Sequence, residues 1–442
     1  MKDRHRTLLT RFLHAVLLLI AIDLFMAFNY FPHMTALAAG VIAISVYLER
    51  NDKEIKLRLC FFALILIFMA AGCFSDRFSI HSALAALVSI FAMAIAVMDA
   101  RRHLDHEHTT FGKVLGVLGF AVLIVAGSMM VFFAYCAVDP TPAAMIFQSG
   151  SADYPMDVVE TVEVIGDVTI YRDVTYESAY PNNTYTVYSI PDSKGTFFYV
   201  HGGGLVFGDK ELGSQNIYLD SMVDAGYCVV TVDYVLAPQN PYPQGITAVN
   251  DALRYFVNHA DDYGANIEGL FVGGDSGGSQ LSGQLALLQT NRSYADEVGI
   301  VPALDGTGVD VDGYISISGL VDMPRFGNMH MFVFDWFGNV CGRSVFGEID
   351  YEHTELAHQA SILENVDSNF PPSYVSDANF GSFYDQGKDL VKRLQELGVY
   401  VEGNFPDNPV LLHIWELNTH TPSGAENFAK TVKFMDTVLA MA

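Results

Sequence analysis

Five apolar stretches in the first third of the chain restrict this region to membrane-spanning helices. A helix needs about 20 consecutive apolar residues to cross the hydrocarbon core, and backbone polar groups inside lipid must be satisfied within the helix. The second and third stretches fall a few residues short of this length. We therefore predict an all-α transmembrane region of about five helices over residues 1–138. The stretches are Phe12–Phe31, Met34–Leu48, Leu59–Phe74, Phe78–Met98 and Val114–Val138.

Basic residues in this region are concentrated in alternate gaps between the stretches. One set of gaps holds Lys2, Arg4, Arg6, Arg11, Arg50, Lys53, Lys56, Arg58, Arg101, Arg102 and Lys113, whereas the other set holds only Arg77. The positive-inside rule then predicts a cytoplasmic N-terminus. Five spans would put everything after Val138 on the extracytoplasmic side, with the plasma membrane as the expected location. A signal peptide cleaved near Ala38 is disfavoured, because apolar sequence continues through that position.

The rest of the chain is strongly acidic. The whole sequence has 24 Lys and Arg residues and 50 Asp and Glu residues, and residues 138–442 hold 12 of the former and 41 of the latter. A domain with a net charge of −29 repels phosphate, so nucleic acid is excluded as a partner. The five cysteines lie in apolar segments or alone in the sequence, and we predict no disulfide framework from them.

A linker is predicted over residues 139–156, followed by one domain over residues 157–442. Strand-like and helix-like segments alternate in this domain, which predicts a doubly wound, mostly parallel sheet with helices on both faces. The predicted strands are Thr184–Ile190, Thr196–Val200, Tyr227–Val232, Gly269–Gly273, Tyr314–Ser318, Tyr374–Ser376 and Val410–Glu416. The predicted helices are Leu212–Ala225, Ile246–Ala260, Ser276–Gln289, Ser382–Leu397 and Glu426–Met441.

The sharpest motif is Gly274-Asp275-Ser276-Gly277-Gly278, which follows a buried strand and opens a helix. A tight strand-to-helix turn of this kind holds a serine hydroxyl clear of the sheet, and small neighbours are needed because a Cβ does not fit. Chymotrypsin-like proteases have a similar residue pattern around their catalytic serine. Here, however, a helix follows the serine and no disulfide pattern is present. We therefore predict that Ser276 is a nucleophile.

A second Gly-rich motif, His201-Gly202-Gly203-Gly204, ends an earlier predicted strand. Backbone N–H groups in such a turn can face a substrate oxygen. Together with the N–H of Gly277, those of Gly203 and Gly204 are predicted to form an oxyanion hole. His201 is expected to organise this loop rather than to act as a base.

From about Thr196 to the C-terminus, the chain resembles the hormone-sensitive-lipase-like esterases of the α/β-hydrolase fold. Besides the two glycine motifs, the resemblance rests on three further stretches. It departs from the family at the elbow, where Gly277 stands in place of the usual Ala. The stretches are Asp233-Tyr234-Val235-Leu236-Ala237-Pro238-Gln239, Tyr242-Pro243 and Asp262-Tyr263-Gly264.

The resemblance implies a triad in the chain order Ser, Asp, His. Asp377 matches the first Asp of the family's D-P-L-x-D stretch, although the Pro and Leu are absent and Gly381 stands at the second Asp. Asp385, in the following helix, is the alternative acid. His420 follows the last predicted strand and is expected to be the base, whereas His413 is expected to pack within that strand.

These features predict a membrane-anchored serine carboxylic-ester hydrolase that acts outside the cytoplasm on short to medium acyl or acetyl esters. It would need no metal and no cofactor, and its partners would be an ester substrate and the lipid bilayer. A lipase or a deacetylase of cell-surface polymers remains an alternative, as does a catalytically silent domain of a membrane sensor or scaffold. The aromatic segment Phe326–Phe346 would line the substrate pocket or belong to the core.

Overall fold

Two units divide the chain at Pro140: Met1–Pro140 and Thr141–Ala442. The computed structural model describes residues 2–26, 31–73, 78–106, 109–149, 159–181, 183–211, 213 and 215–441. The predicted spans therefore include some residues outside the described ranges, namely 27–30 and 74. Arg77 also lies outside them.

The first unit consists of long helices whose sequences are the apolar stretches. In the described residues, four segments are long and apolar enough to cross a membrane: Arg6–Leu24, Pro32–Glu49, Ile55–Gly72 and Ala83–Asp105. The fifth predicted span, Val114–Val138, lies within α5, and several α5 side chains fall outside the description. The helices are α1 (Lys2–Met26), α2 (Phe31–Glu49), α3 (Ile55–Gly72), α4 (Phe78–His106) and α5 (Thr110–Val138).

A buried group of charges joins the helices of this unit. Arg58, predicted in a loop, lies in the first turn of α3 and is fully buried. Its Nη1 is 2.7 Å from Oε1 of Glu49, and its Nη2 is 3.8 Å from Oδ1 of Asp99. Arg11 Nε lies 3.4 Å from Asp99. The two arginine side chains thus neutralise the two carboxylates, because a buried charge without an opposite charge nearby is strongly destabilising.

The second unit is built on a nine-stranded sheet with the order β1-β2-β3-β5-β4-β6-β7-β8-β9. The first three strands pair antiparallel, and β3 is also antiparallel to β5. From β5 to β9 every pair is parallel, as predicted for a mostly parallel sheet. The strands are β1 (Thr161–Ile165), β2 (Val168–Thr175), β3 (Thr184–Ser189), β4 (Thr196–Val200), β5 (Cys228–Val232), β6 (Leu270–Asp275), β7 (Gly313–Ile317), β8 (Ser373–Ser376) and β9 (Val401–Asn404).

Helices cover both faces of this sheet because its central strands are apolar on both sides. In β4, Phe198 and Val200 face one core, whereas Phe197 and Tyr199 face the other. This double burial is why the central strands read as continuous apolar runs rather than as alternating ones. The first face packs against α8 (Gln244–Asn258), α10 (Gly277–Thr290) and α15 (Tyr384–Glu396), and the second against α7 (Gln215–Asp224) and α16 (Pro422–Leu439). Further helices of this unit are α9 (Ala260–Tyr263), α11 (Arg292–Val298), α12 (Phe332–Phe346), α13 (Glu355–Ala360) and α14 (Ile362–Asn365).

The predicted linker 139–156 is partly wrong, because α6 (Thr141–Gln148) belongs to the second unit. Gln148 Nε2 donates to the Ala237 carbonyl at 3.0 Å. The ring centroid of Phe147 lies 5.2 Å from that of Phe337. Residues 150–156 of the predicted linker lie outside the described residues.

The predicted last strand, Val410–Glu416, is also wrong. The strand at this edge is β9, and residues 410–416 form an irregular segment that ends in a 3₁₀ turn, Trp415–Leu417. Val410 and Leu412 are 72% and 53% exposed, so this apolar run is not buried as a strand of the sheet would be. The two outer strands β1 and β2 were not predicted either.

Candidate active site

Three motif residues follow strands that end at one edge of the sheet. His201 follows β4, Ser276 follows β6 and Asp377 follows β8. The strands are in register at this edge, with Val200 opposite Gly274 and Ile317 opposite Ser376. Parallel pairing therefore gathers loops that are far apart in sequence, which is where open α/β sheets bind their ligands.

Ser276 occupies a strained turn between β6 and α10. Its backbone lies at φ 53° and ψ −119°, outside the conformations that an L-residue favours. A Cβ on Gly278 would overlap the carbonyl groups of Val200 and His201, so this position accepts only glycine. The turn thus presents the Ser276 hydroxyl at the N-terminus of α10, as the motif predicted.

His413, and not His420, contacts Ser276. The Nε2 atom of His413 is 2.9 Å from Ser276 Oγ. His420 is exposed, and its backbone N–H donates to Asn418 at 3.2 Å. The expectation for His420 is therefore wrong. Because the last strand ends at Asn404, the loop that reaches Ser276 begins earlier and carries His413.

Asp377 lies fully buried at the end of β8, on the other side of His413 from Ser276. Its Oδ1 accepts hydrogen bonds from the Ala378 N–H at 2.6 Å and from the Ser382 hydroxyl. Ser382 Oγ is in turn 2.7 Å from His413 Nδ1. The alternative acid, Asp385, points elsewhere, with its carboxylate 3.3 Å from Arg325 Nη1 and 3.2 Å from His330 Nε2.

Gly381 explains why this loop departs from the family stretch. Its φ is +62°, and a Cβ there would lie 2.6 Å from the ring of Phe334. Glycine tolerates both the conformation and the contact, whereas a Cβ at this position would require the Phe334 ring to move. The second Asp of the family pattern is therefore replaced by a turn that brings Ser382 beneath His413.

The Gly-rich loop after β4 lies against the serine turn. Asp275 accepts the Gly202 N–H at 2.9 Å and the Tyr199 hydroxyl, which fixes the start of the loop. His201 Nδ1 lies 2.8 Å from the Gly202 carbonyl, and its ring stacks on Tyr234 with centroids 4.4 Å apart.

Gly277 and Gly204 bring the two Gly-rich motifs together. A Cβ on Gly277 would stand 3.2 Å from the Gly204 nitrogen. Gly203 and Gly204 have φ values of +104° and +61°, which turn their N–H groups relative to the preceding strand. Within the described residues, the N–H groups of Gly203, Gly204 and Gly277 have no hydrogen-bond acceptor.

Burial shifts the pKa values of His413 and of two buried carboxyl groups, Asp377 and Glu416. Desolvation lowers the pKa of His413 to about 4, so the ring is neutral at pH 7. Glu416 is a second buried carboxyl, and burial raises its pKa to about 7. Burial, followed by the charge of Glu416, raises the pKa of Asp377 well above its usual value. Two carboxyls coupled in this way resist being ionised together.

A cavity of about 270 Å³ opens in front of Ser276. Phe337 lines it from α12 (Phe332–Phe346), so part of the aromatic segment faces the site. Phe326 and Met329 of the same segment are buried in the core. Both expectations for Phe326–Phe346 therefore hold, each for different residues. The remaining lining includes Phe207, Asp209, Gln215, Ile414 and Leu417.

The sequence reasoning missed Ser382 and Glu416, as well as the position of His413. Serine and glutamate are common, and nothing in their local pattern marks these two. The one available signal was the Asn408-Pro409 pair, which favours a turn and separates β9 from the apolar run that follows it. That turn argues for a loop rather than a strand entering at Val410.

Comparisons with known proteins agree with this fold. A family model of the α/β-hydrolase fold matches residues 197–408. The acetyl esterase of Salmonella dublin is 34% identical over 249 residues, which cover 55% of this chain and 70% of that protein. The acetyl esterase of Salmonella enteritidis matches equally well.

Solved structures share the fold at lower identity. Esterase B from Lactobacillus rhamnosis superposes with a TM-score of 0.55 at 19% identity, covering 71% of this chain and 96% of that one. Carboxyl esterase 2 from Tuber melanosporum gives a TM-score of 0.50 at 19% identity, covering 68% of this chain and 98% of that one. Together, the family model, the sequence relatives and the shared fold establish that the chain belongs to the α/β-hydrolase family, as a serine hydrolase of the carboxylesterase type.

Proposed function

We propose that this protein is a membrane-anchored carboxylesterase whose triad is Ser276, His413 and Asp377. The observation that carries the proposal is the 2.9 Å contact between Ser276 Oγ and His413 Nε2, on a turn that faces unengaged backbone N–H groups. A serine hydroxyl is a weak nucleophile until a neighbouring base accepts its proton. The neutral His413 ring meets this requirement at pH 7.

Acylation begins when Ser276 Oγ attacks the carbonyl carbon of the ester. The hydroxyl proton passes to His413 Nε2, and the carbonyl oxygen becomes an oxyanion held by the N–H groups of Gly203, Gly204 and Gly277. One such donor is typically worth about 3 kcal/mol of transition-state stabilisation. Collapse of the intermediate breaks the ester C–O bond, and the alcohol leaves with the proton from His413.

Deacylation repeats these steps with water. His413 takes a proton from the water as its oxygen attacks the acyl carbon of the acyl-enzyme. The second intermediate then expels Ser276 Oγ, which recovers the proton from His413. The products are a carboxylic acid and free enzyme, and the proposed reaction uses only these side chains and water.

We propose acetyl and other short to medium acyl esters as substrates. The similarity to acetyl esterases supports this choice, as does a cavity of about 270 Å³ with aromatic and aliphatic walls. A small apolar cavity favours small acyl groups, because a longer chain would leave apolar carbons in water.

We further propose that the N-terminal helices anchor the enzyme in the plasma membrane, with the hydrolase unit outside the cytoplasm. Four apolar helices and the basic residues in alternate gaps support the anchor and a cytoplasmic N-terminus. The outside location requires α5 as a fifth span. An alkaline phosphatase fused after Pro140 should be active in cells, whereas a fusion after Asp52 should be inactive. The reverse pattern would overturn this orientation.

Hydrolysis of p-nitrophenyl acetate, butyrate and octanoate by the full chain in detergent tests the proposed activity. We expect kcat/KM to be highest for acetate or butyrate and to be lost in Ser276→Ala. Highest activity on octanoate would favour a lipase, and activity confined to acetylated polysaccharide would favour a polymer deacetylase. A folded wild-type protein without activity and without labelling by a fluorophosphonate would indicate a catalytically silent domain.

A further inference from the structure

We infer that Ser382 is a positioning residue that connects Asp377 to His413, so that the base is oriented through a serine rather than by direct contact with the acid. This inference rests on the proposed function, because it concerns how the same site activates Ser276. The contacts of the three side chains carry it. His413 Nδ1 lies 2.7 Å from Ser382 Oγ, and the Ser382 hydroxyl donates to Asp377 Oδ1.

With Asp377 ionised, the protons of this chain of contacts run in one direction, from His413 through Ser382 to the carboxylate. The Ser382 hydroxyl has one proton, which it donates to Asp377, so its oxygen must accept from His413. His413 then carries its proton on Nδ1 and leaves Nε2 as the acceptor for Ser276. This is the tautomer that a general base at Nε2 needs. Ser382 therefore does for the imidazole what a directly bonded carboxylate would do.

The groups packed around Ser382 restrict the conformation of its side chain. Ser382 and Asp377 are 0% and 1% exposed. Gly381 before it is held at positive φ under the ring of Phe334, and Phe383 after it packs edge-on against His413 with centroids 5.5 Å apart. A hydroxyl fixed in this way is pre-organised, so it keeps its hydrogen bonds through the reaction without reorganisation.

The loop that bears Ser382 is also tied directly to the loop that bears His413. Asn379 Nδ2 donates to the carbonyls of Pro406 and Pro409, each at 2.9 Å. Its Oδ1 accepts the Leu411 N–H at 2.9 Å. These bonds hold the two loops at one separation, and in the structure Ser382 fills the space between His413 and Asp377.

Ser382→Ala in the full chain tests the connection, with Ser382→Thr as the variant that keeps the hydroxyl. We expect Ser382→Ala to lower kcat for p-nitrophenyl acetate at least about tenfold, the effect of one lost hydrogen bond of about 1.4 kcal/mol, with KM nearly unchanged. Ser382→Thr should recover most of the activity. Ser373→Ala is the matched control, because it removes another fully buried serine hydroxyl, at the opposite end of β8. It should leave kcat unchanged.

A double-mutant cycle separates a connecting role from a merely structural one. If Ser382 acts by linking His413 to Asp377, then Ser382→Ala combined with Asp377→Asn should be no slower than the slower single variant. The inference would be overturned if the losses of kcat in the two single variants multiply in the double variant. It would also be overturned if a folded Ser382→Ala variant keeps the wild-type kcat. Failure of the proposed function is distinguishable, because wild type would then be inactive or Ser276→Ala would keep its activity.

Discussion

At the scale of single residues, the account depends on which carboxyl serves the site. Asp377 lies buried and is linked to His413 through Ser382, whereas Asp385 is engaged by Arg325 and His330. The two residues were the alternatives that the sequence left open. Only the folded structure separates them, because both follow β8 within a short stretch of chain.

Asp377→Asn should therefore abolish most of the activity, and Asp385→Asn should not. An asparagine offers an amide in place of the carboxylate, so it disturbs the proton order through Ser382 and no longer stabilises the imidazolium formed in the reaction. We expect kcat to fall at least about a hundredfold in Asp377→Asn and less than about threefold in Asp385→Asn. Steady-state kinetics on p-nitrophenyl butyrate measures both. Equal losses in the two variants would contradict the assignment.

At this scale, sequence motifs were reliable at positions where the backbone leaves space for only one kind of residue. Ser276 and the glycines around it could be recognised because only small residues fit the turn, and the structure has the predicted turn. His413 could not be recognised, because a histidine in an apolar run carries no sign of what it faces. Its partner is far away in sequence, so tertiary structure alone brings the two together.

At the scale of elements, the loop after β9 decides where the base lies. The apolar run from Val410 was expected to be the last strand, and this shifted the expected loop towards His420. The actual strand, β9, contains Glu402, Gly403 and Asn404 and is only partly buried, so it lacks the apolar pattern by which central strands are recognised. The central strands β4, β5 and β6 contain such apolar runs, and they were predicted for that reason.

Asn379 should control how firmly this loop holds His413. Asn379→Ala removes three hydrogen bonds between the two loops, and Asn379→Asp keeps the acceptor but turns a carboxylate towards two carbonyls. We expect kcat to fall in both variants, and the kcat of Asn379→Asp to be no higher than that of Asn379→Ala. KM should change little in either variant. Kinetics alongside circular dichroism of the folded variants checks this. A change in KM alone would indicate that the loops bind substrate instead.

At the scale of the whole molecule, a buried carboxyl beside the site makes stability depend on pH. The pKa of Glu416 is raised from 4.5 to about 7 in the folded protein, mainly by burial. Between these values the folded state retains a proton that the unfolded state has lost. The contribution of Glu416 to the free energy of unfolding therefore decreases as pH rises through this window, by at most about 1.4 kcal/mol per pH unit.

Glu416→Gln should remove this contribution while retaining an oxygen that can accept from the Ser318 hydroxyl. The difference in Tm between the variant and wild type should be smallest near pH 4.5 and should grow in favour of the variant up to about pH 7. Thermal melts of both full chains across this range provide the measurement. A difference that does not change with pH would show that Glu416 is not protonated in the folded protein.

The central claim is that His413 activates Ser276, and the rate at which a fluorophosphonate labels Ser276 tests it most directly. The full-length wild type, His413→Ala and His420→Ala would be compared at pH 7, with the modified residue identified by mass spectrometry. We expect wild type and His420→Ala to be labelled on Ser276 at equal rates, and His413→Ala at least about a thousandfold more slowly. Unlabelled wild type, or labelling lost in His420→Ala and retained in His413→Ala, would contradict the account.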